Sequence, residues 1–300
     1  MRVLVIGGTR FIGPRVVHRL VAAGHRVAVF HRGQHTSALP AGVRSITDPR
    51  AGIPVTEFPK ELFQFEPQLV LHMIAMGERD GAAAREAFAK VAQRIVMLSS
   101  GDVYRAYGYF SKIEPGPVEL MPLTEGSKLR SVMHPYRTPA TASDSLEYFY
   151  DKILAEREIS AGPYLPATIL RLPKVYGPGD NADLATVYGF RKHPNWRWTH
   201  GFVENVAAAI ALAVTNERAK GRIYNVGEET TPTMRERLAY LPPRPEASVI
   251  DREGNFEQDL VYDTSRIRSE LGFVEAVPER QTMIDTVSEY LASQASSKTQ

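Results

Sequence analysis

An α/β fold on a doubly wound parallel sheet, with a smaller C-terminal part beside it, is what this 300-residue sequence predicts. Short buried-strand runs alternate with helix-period segments through the first half, which implies βαβ units. A glycine-rich turn joins the first strand to the first helix. The length is also near the point where a single core stops growing and a chain divides.

Arg2–Ile6 reads as a buried strand. Phe11–Ala23 carries apolar residues at helical spacing and is closed by Gly24. Arg26–Phe30 is a second strand and Val43–Ile46 a weak third. Gln68–Ile74 and Arg94–Leu98 are two further strand runs, separated by an Ala-rich helix over Glu78–Ala92. Such continuous apolar strands suit a parallel sheet covered on both faces, and right-handed crossovers leave the doubly wound arrangement. Lys112–Ser143 is proline-rich and aperiodic, so it reads as a long functional loop. A helix follows from the N-cap candidate Asp144 to about Ser160, then a strand at Ala167–Leu172 and a helix at Phe202–Thr215. A strand at Arg222–Val226 and a helix at Glu279–Ala292 come last, with a polar tail expected to fray. The division expected is 1–165 for the first domain and 166–300 for the rest, with strands returning to the first.

The balance of 36 Lys+Arg against 34 Asp+Glu gives no electrostatic reason to expect nucleic acid or an anionic membrane as partner. With 43% hydrophobic residues the chain is not a disordered one. No apolar run has the roughly 18 residues of a membrane span, and Met1 leads straight into a strand with no secretory pattern. The cysteine count of zero excludes disulfides and thiolate chemistry, and a cytoplasmic location is the expectation. The eight histidines (18, 25, 31, 35, 72, 134, 193, 200) have no HxxxH or HExxH spacing, so no metal site is expected.

The turn Gly7-Gly8-Thr9-Arg10-Phe11-Ile12-Gly13 has the chemistry of a phosphate cradle. Glycines permit a tight turn and close approach, and a helix N-terminus presents free N–H groups to a pyrophosphate. A ligand-free βα turn is the bland alternative, but the strand-turn-helix context favours a dinucleotide. About 20 residues on, where a carboxylate would take a ribose 2′-hydroxyl, stand His31 and Arg32. A guanidinium forks onto a 2′-phosphate, and Arg10 would add a second cation, so NADP(H) is favoured over NAD(H). Solvated surface cations are the alternative. Asp48 is a candidate for the adenine amino group, or an ordinary turn residue.

Tyr148 and Lys152 stand at i and i+4 on the predicted helix, on one face. An ammonium beside a phenol lowers its pKa and makes it a usable acid/base. Tyr150, about 200° around that helix, is the poorer partner. Ser100 follows a strand and emerges at the carboxyl edge of the sheet, where open α/β sheets bind ligands; a turn or capping serine is the alternative.

GGTRFIG, LSSGDVY, YFYDKILAE, ILRLPKVYGPGD, FVENVAAAI, GRIYNVG and DTSRIRSELGF occur in that order over nearly the whole chain. Together they resemble the extended short-chain dehydrogenase/reductase family, in particular its NAD-dependent epimerase/dehydratase branch. The resemblance implies a Rossmann-type cofactor domain, a C-terminal substrate-binding domain and reversible hydride transfer at a secondary alcohol of a nucleotide-activated sugar. It assigns the chemistry to Ser100, Tyr148 and Lys152, with Lys152 also reaching the nicotinamide ribose and Leu172-Pro173 beside the cofactor. Asp102, Lys174, Arg197 and His200 are its substrate-side candidates, and a homodimer through the Tyr–Lys helix is implied. Gly101-Asp102 supplies one of the two acids a dehydratase uses, so epimerase or reductase comes before dehydratase. Residues Asp180–Trp198 are short for a nucleotide-sugar site. A small-carbonyl ketoreductase using NADPH is the runner-up. GGTRF with a basic residue after the second strand also resembles atypical members of the superfamily, including plastid RNA-binding proteins, which leaves a non-catalytic alternative.

Overall fold

A computed structural model describes residues 1–34, 39–244 and 249–297. The strands are β1 (Arg2–Ile6), β2 (Arg26–His31), β3 (Arg44–Thr47), β4 (Leu69–His72), β5 (Arg94–Ser100), β6 (Ala167–Leu172), β7 (Lys174–Tyr176), β8 (His200–Phe202) and β9 (Ile223–Asn225). The helices are α1 (Ile12–Ala22), α2 (Lys60–Gln64), α3 (Glu78–Phe88), α4 (Arg105–Phe110), α5 (Leu146–Phe149), α6 (Lys152–Ser160), α7 (Ala185–Tyr188), α8 (Val203–Thr215), α9 (Met234–Tyr240), α10 (Ser265–Leu271) and α11 (Glu279–Ser297).

Seven strands form one sheet in the order β3-β2-β1-β4-β5-β6-β9, parallel throughout. The order reverses beside β1, so a crevice opens at the carboxyl ends of β1 and β4. Alternate side chains of β1 feed two cores. Val3 and Val5 join Val16, Val17 and Leu20 of α1 and Ile210 of α8. Leu4 and Ile6 join Leu62, Phe88 and Ile159 on the opposite face, under α2, α3 and α6. This two-sided burial explains why the strands carry no polar alternation.

A third core lies under the C-terminal part, where Phe110 stacks on Trp196 at 4.7 Å between ring centroids. Both tryptophans are buried there, Trp196 at 3% and Trp198 at 9% exposure, so they pack rather than line a pocket. The small pair β7–β8 leads from β6 into this region.

Several elements differ from the sequence reading. The helix expected over 144–160 is two helices, because Asp151 caps the second one through its carboxylate, which accepts from the N–H of Ile153 and Leu154. Its own N–H turns away to the carbonyl of Met76 at 2.8 Å. α4, α7, α9 and α10 are short and were not visible as periodic runs. α11 continues to Ser297, past the tail expected to fray. No helix among the described residues is long and apolar enough to cross a membrane.

Glu228 sits buried between β8 and α8, accepting from the Phe202 N–H at 2.8 Å and from Asn205 at 3.4 Å. Burial, aided by the charges of Glu275 and Glu279, pushes its carboxyl up from 4.5 to about 8. A carboxyl raised on folding holds a proton that the unfolded chain gives up, so its stabilisation is complete below 4.5 and lost as pH rises towards about 8. Urea unfolding between those limits should therefore reveal a decline on the order of 3 kcal/mol that Glu228→Gln removes. An unchanged pH slope in the variant would refute the assignment.

Candidate active site

The turn after β1 is held by backbone geometry that only glycine tolerates. Gly7 and Gly8 have φ of 89° and 90°, and a Cβ on Gly13 would lie 2.3 Å from the Gly8 Cα. The Gly7 N–H bonds to the Phe30 carbonyl and that of Gly13 to the Arg10 carbonyl, both at 2.9 Å. No side chain caps the N-terminus of α1, and its first turn holds no acid. Its free N–H groups thus face the cavity of about 300 Å³ that residues 7–12 line.

His31, Arg32, Gly33 and Gln34 line the outer side of that cavity. The Gly33 N–H donates to His31 Nδ1 at 3.1 Å and His31 Nε2 meets Ser45 Oγ at 2.7 Å. A ring that accepts at Nδ1 and donates at Nε2 is neutral, and burial lowers its pKa further. Arg10 is exposed and Arg32 half-buried, and neither has an ion pair among the described residues. The two arginines are the free cations of this rim.

Asp48 does not line the cavity. Its carboxylate bonds the backbone and side chain of Arg50 at 2.9 and 3.3 Å, and both residues line a separate depression. The wall on this side is made by Ala51, Gly52, Ile53 and Val55, an apolar surface fit for a flat heterocycle. Sequence reasoning missed this segment, which has no periodicity and no spacing rule. Met73 and Ile74, beyond β4, were also missed as lining residues.

At the inner end the cavity meets Leu98, Ser99, Lys152 and Leu172. Lys152 Nζ, wholly buried, donates to the carbonyls of Ala75 at 2.6 Å and Leu98 at 3.1 Å. Burial lowers its pKa, while Asp80, Asp102 and Glu156 pull the other way.

The phenol beside it is Tyr150, not Tyr148. Lys152 Nζ lies 5.8 Å from the Tyr150 ring centroid. The Tyr150 hydroxyl donates to Asp102 Oδ2 at 2.8 Å, and Ser100 Oγ accepts from the Asp102 N–H at 3.2 Å. Tyr148 belongs to the preceding helix α5, stacks under the Arg137 guanidinium at 4.0 Å and lines a different surface cavity with His134 and Arg79. The i, i+4 argument assumed a continuous helix, and the break at Tyr150-Asp151 removes its basis. An Asp three residues after Tyr148, one after Tyr150 and one before the lysine was the available signal, since Asp is a capping residue.

Asp102, 4% exposed, also accepts from the Tyr136 hydroxyl at 2.9 Å. Its neighbour Gly101 has no room for a side chain, because a Cβ there would lie 1.7 Å from the Tyr262 hydroxyl. The second acid of a dehydratase pair is excluded by packing.

The remaining candidates are not brought to this centre. Pro173 packs against Gly201 and Gly227. Lys174 opens β7 against His200 of β8. Arg197 is bonded to Asp259, Nε at 2.9 Å and Nη2 at 2.8 Å. His200 is fully buried, between the Trp198 carbonyl at 2.8 Å and Thr186 at 3.1 Å, and burial keeps it neutral. Among the described residues no group of His, Asp and Glu is arranged to hold a metal. His35 lies outside the described residues.

Comparisons with known proteins agree with this architecture. A family model described as the NAD dependent epimerase/dehydratase family matches residues 3–227. The chain is 29% identical over 243 residues to 2′-dehydrokanamycin reductase of Streptomyces kanamyceticus, covering 74% of this chain and 60% of the reductase. It is 32% identical over 101 residues to an uncharacterised protein of Sinorhizobium fredii, covering 30% of this chain and 28% of that protein. The chain thus spans less than two thirds of either relative's length. In fold it is similar to UDP-glucose 4-epimerase of Thermotoga maritima, with TM-score 0.70 and 18% identity over 98% of this chain and 100% of the other. The UDP-glucose 4-epimerase of Thermus thermophilus, in complex with NAD, gives TM-score 0.66 and 23% identity over 97% and 99%. With residues 3–227 matched, on a parallel Rossmann-type sheet with an open glycine cradle, the chain belongs to the NAD dependent epimerase/dehydratase family.

Proposed function

We propose that this enzyme is an NADP(H)-dependent reductase of a ketone carried on a small polyhydroxylated substrate. The observation that carries this reading is the Tyr150–Asp102 hydrogen bond beside Lys152, which lines the inner end of the glycine-lined cavity. The cavity fits a dinucleotide: the free N–H groups of α1 for the pyrophosphate, the Ala51–Val55 wall for the adenine, and Arg10 with Arg32 for a 2′-phosphate. When bound there, the nicotinamide supplies hydride to the substrate carbon.

The protein's part is to orient the carbonyl oxygen and give it a proton. We assign the orienting of the oxygen to Ser100 and the proton donation to Tyr150. Burial and the nearby Asp102 charge hold the Tyr150 phenol well above its ordinary pKa, so at neutral pH it is protonated. A protonated phenol serves reduction directly, whereas abstraction of a proton from an alcohol needs the phenolate. This asymmetry favours a reductase over an epimerase that must run both directions. The reductase relative supports the same choice.

Epimerisation of a nucleotide-activated sugar, placed first by the sequence, asks for cations facing a second diphosphate. Of the two on offer, Arg197 is committed to Asp259. That observation moves a nucleotide sugar behind a small ketone.

Two measurements test the reading. Replacing both Arg10 and Arg32 by Ser should raise the Kd for NADPH roughly 10- to 100-fold, the equivalent of losing one or two charge-assisted bonds, with NADH nearly unaffected. Equal affinity of the wild type for the two cofactors would remove the 2′-phosphate assignment. For the proton donor, Tyr150→Phe should lower ketone-dependent NADPH oxidation by roughly 10²–10⁴ while Tyr148→Phe stays within a few-fold. The opposite ranking would return the role to Tyr148.

A further inference from the structure

A second cavity, of about 190 Å³, lies apart from the glycine-lined one. Three segments line it: the start of α3 (Glu78, Arg79), the long loop between α4 and α5 (His134, Arg137), and α5 itself (Tyr148, Phe149). Pro54 closes one side, while its neighbours Ile53 and Val55 face the glycine-lined cavity. The two cavities have no lining residue in common.

The three segments are fastened to one another. A Cβ on Gly77 would lie 2.2 Å from the Phe149 carbonyl oxygen, so the chain entering α3 runs directly against α5. Asp151 accepts from the His134 N–H at its carboxylate and gives its own N–H to the Met76 carbonyl. Arg137 donates to the Tyr148 carbonyl through Nε and Nη2.

The charge in this cavity is unbalanced. The Arg137 guanidinium lies over the Tyr148 ring at 4.0 Å and that of Arg79 over the Phe149 ring at 5.3 Å. Neither arginine has an ion pair among the described residues, and Arg79 makes no hydrogen bond there. His134 Nδ1 is buried with no hydrogen-bond partner. Glu78, the one acid of the lining, is exposed and pairs with neither arginine. A guanidinium held over an aromatic ring keeps its N–H donors in its own plane, and that edge forks onto phosphate oxygens. One water needs roughly 10–15 Å³, so the space accepts a whole polyatomic anion.

We propose that this cavity binds a phosphate group, gripped by Arg79 and Arg137 with the His134 ring beside it. Phosphate is preferred to carboxylate because it brings about two negative charges to two guanidinium groups. The site goes beyond the reductase reading and does not rest on it. Its chemistry has two sources, free phosphate and a phosphorylated polyol, which binding measurements separate.

Isothermal titration of the full chain, saturated with NADPH to fill the glycine cradle, should find inorganic phosphate bound at least about tenfold tighter than acetate. D-glucose 6-phosphate then identifies the source: tighter binding than phosphate assigns the site to an ester, and no tighter binding assigns it to the free anion. Arg79→Ser and Arg137→Ser should each weaken phosphate binding about tenfold or more, and Glu78→Gln should tighten it. Arg79 makes no hydrogen bond in the fold, so its variant decides the matter even if Arg137→Ser, which frees the Tyr148 carbonyl, does not fold. Because Arg79 is outside the glycine-lined cavity, its loss leaves phosphate in the cradle unaffected. No phosphate binding at about 10 mM, no preference over acetate, or undiminished binding in Arg79→Ser would overturn the proposal.

Discussion

The positions of Tyr150 and Lys152 at this site depend on the carboxylate of Asp151. One oxygen accepts from Ile153 and Leu154 N–H groups at 2.9 and 3.3 Å, the other from the His134 N–H at 2.5 Å. A capping carboxylate of this kind stabilises a helix by about 1 kcal/mol, but its directional effect is larger than its energy. By starting α6 at Lys152 it leaves Tyr150 in extended backbone, with φ −67° and ψ 117°. On an unbroken helix Tyr148 and Tyr150 would point about 200° apart and only one could share the lysine's face. The break frees Tyr150 to reach Asp102, keeps Lys152 at the base of the cavity, and ties the long loop to the same point through His134.

Behind the reactive groups stands a buried polar network that fixes the strand ends. Arg171 of β6 bonds Glu156 of α6 through two nitrogens, at 3.0 and 2.7 Å, and Ser99 bonds the same carboxylate at 2.5 Å. Arg171 also reaches the Tyr104 hydroxyl, which donates to Asn225 of β9, and Asn225 in turn bonds the carbonyl of Leu123 in the long loop. Breaking a buried pair such as Arg171–Glu156 leaves an uncompensated charge and costs about 3–5 kcal/mol. Ser100 is therefore presented from a rigid edge, adjacent to Ser99 within that network, while Tyr136 on the facing side stands on loop backbone.

The sheet was legible because its strands are buried on both faces. Leu4, Val70 and Val96 have no polar neighbours to blur their runs, and the glycine turn carries its own geometric reason. The site was less legible, and for physical causes. Periodicity could not see that Asp151 interrupts a helix-like run, since a cap and an internal Asp look alike when the apolar spacing continues past them. The wall at Ala51–Val55 comes from a loop whose side chains are brought to β1 by tertiary packing alone. Asp48 and Arg197 had suitable charge, but Arg50 and Asp259, their partners, cannot be read from spacing across 2 and 62 residues alike. Gly101 was visible as a missing acid, and only Tyr262 packed against it explains the absence.

The outer rim of the cleft carries positive charge. There Arg10 and Arg32 have no ion pair among the described residues, and His31 beside Arg32 is held neutral by its hydrogen bonds. At the inner end the buried ammonium of Lys152 has Asp80, Asp102 and Glu156 near enough to act on it. Fields in a cleft with low-dielectric walls are focused, so the outer rim favours a phosphate, which orients a dinucleotide with its nicotinamide towards Lys152. Placing an acid at residue 101 would deepen the negative field but collide with Tyr262. Asp102 is thus left as the acid of the Gly101-Asp102 pair, held by the tyrosines packed around it.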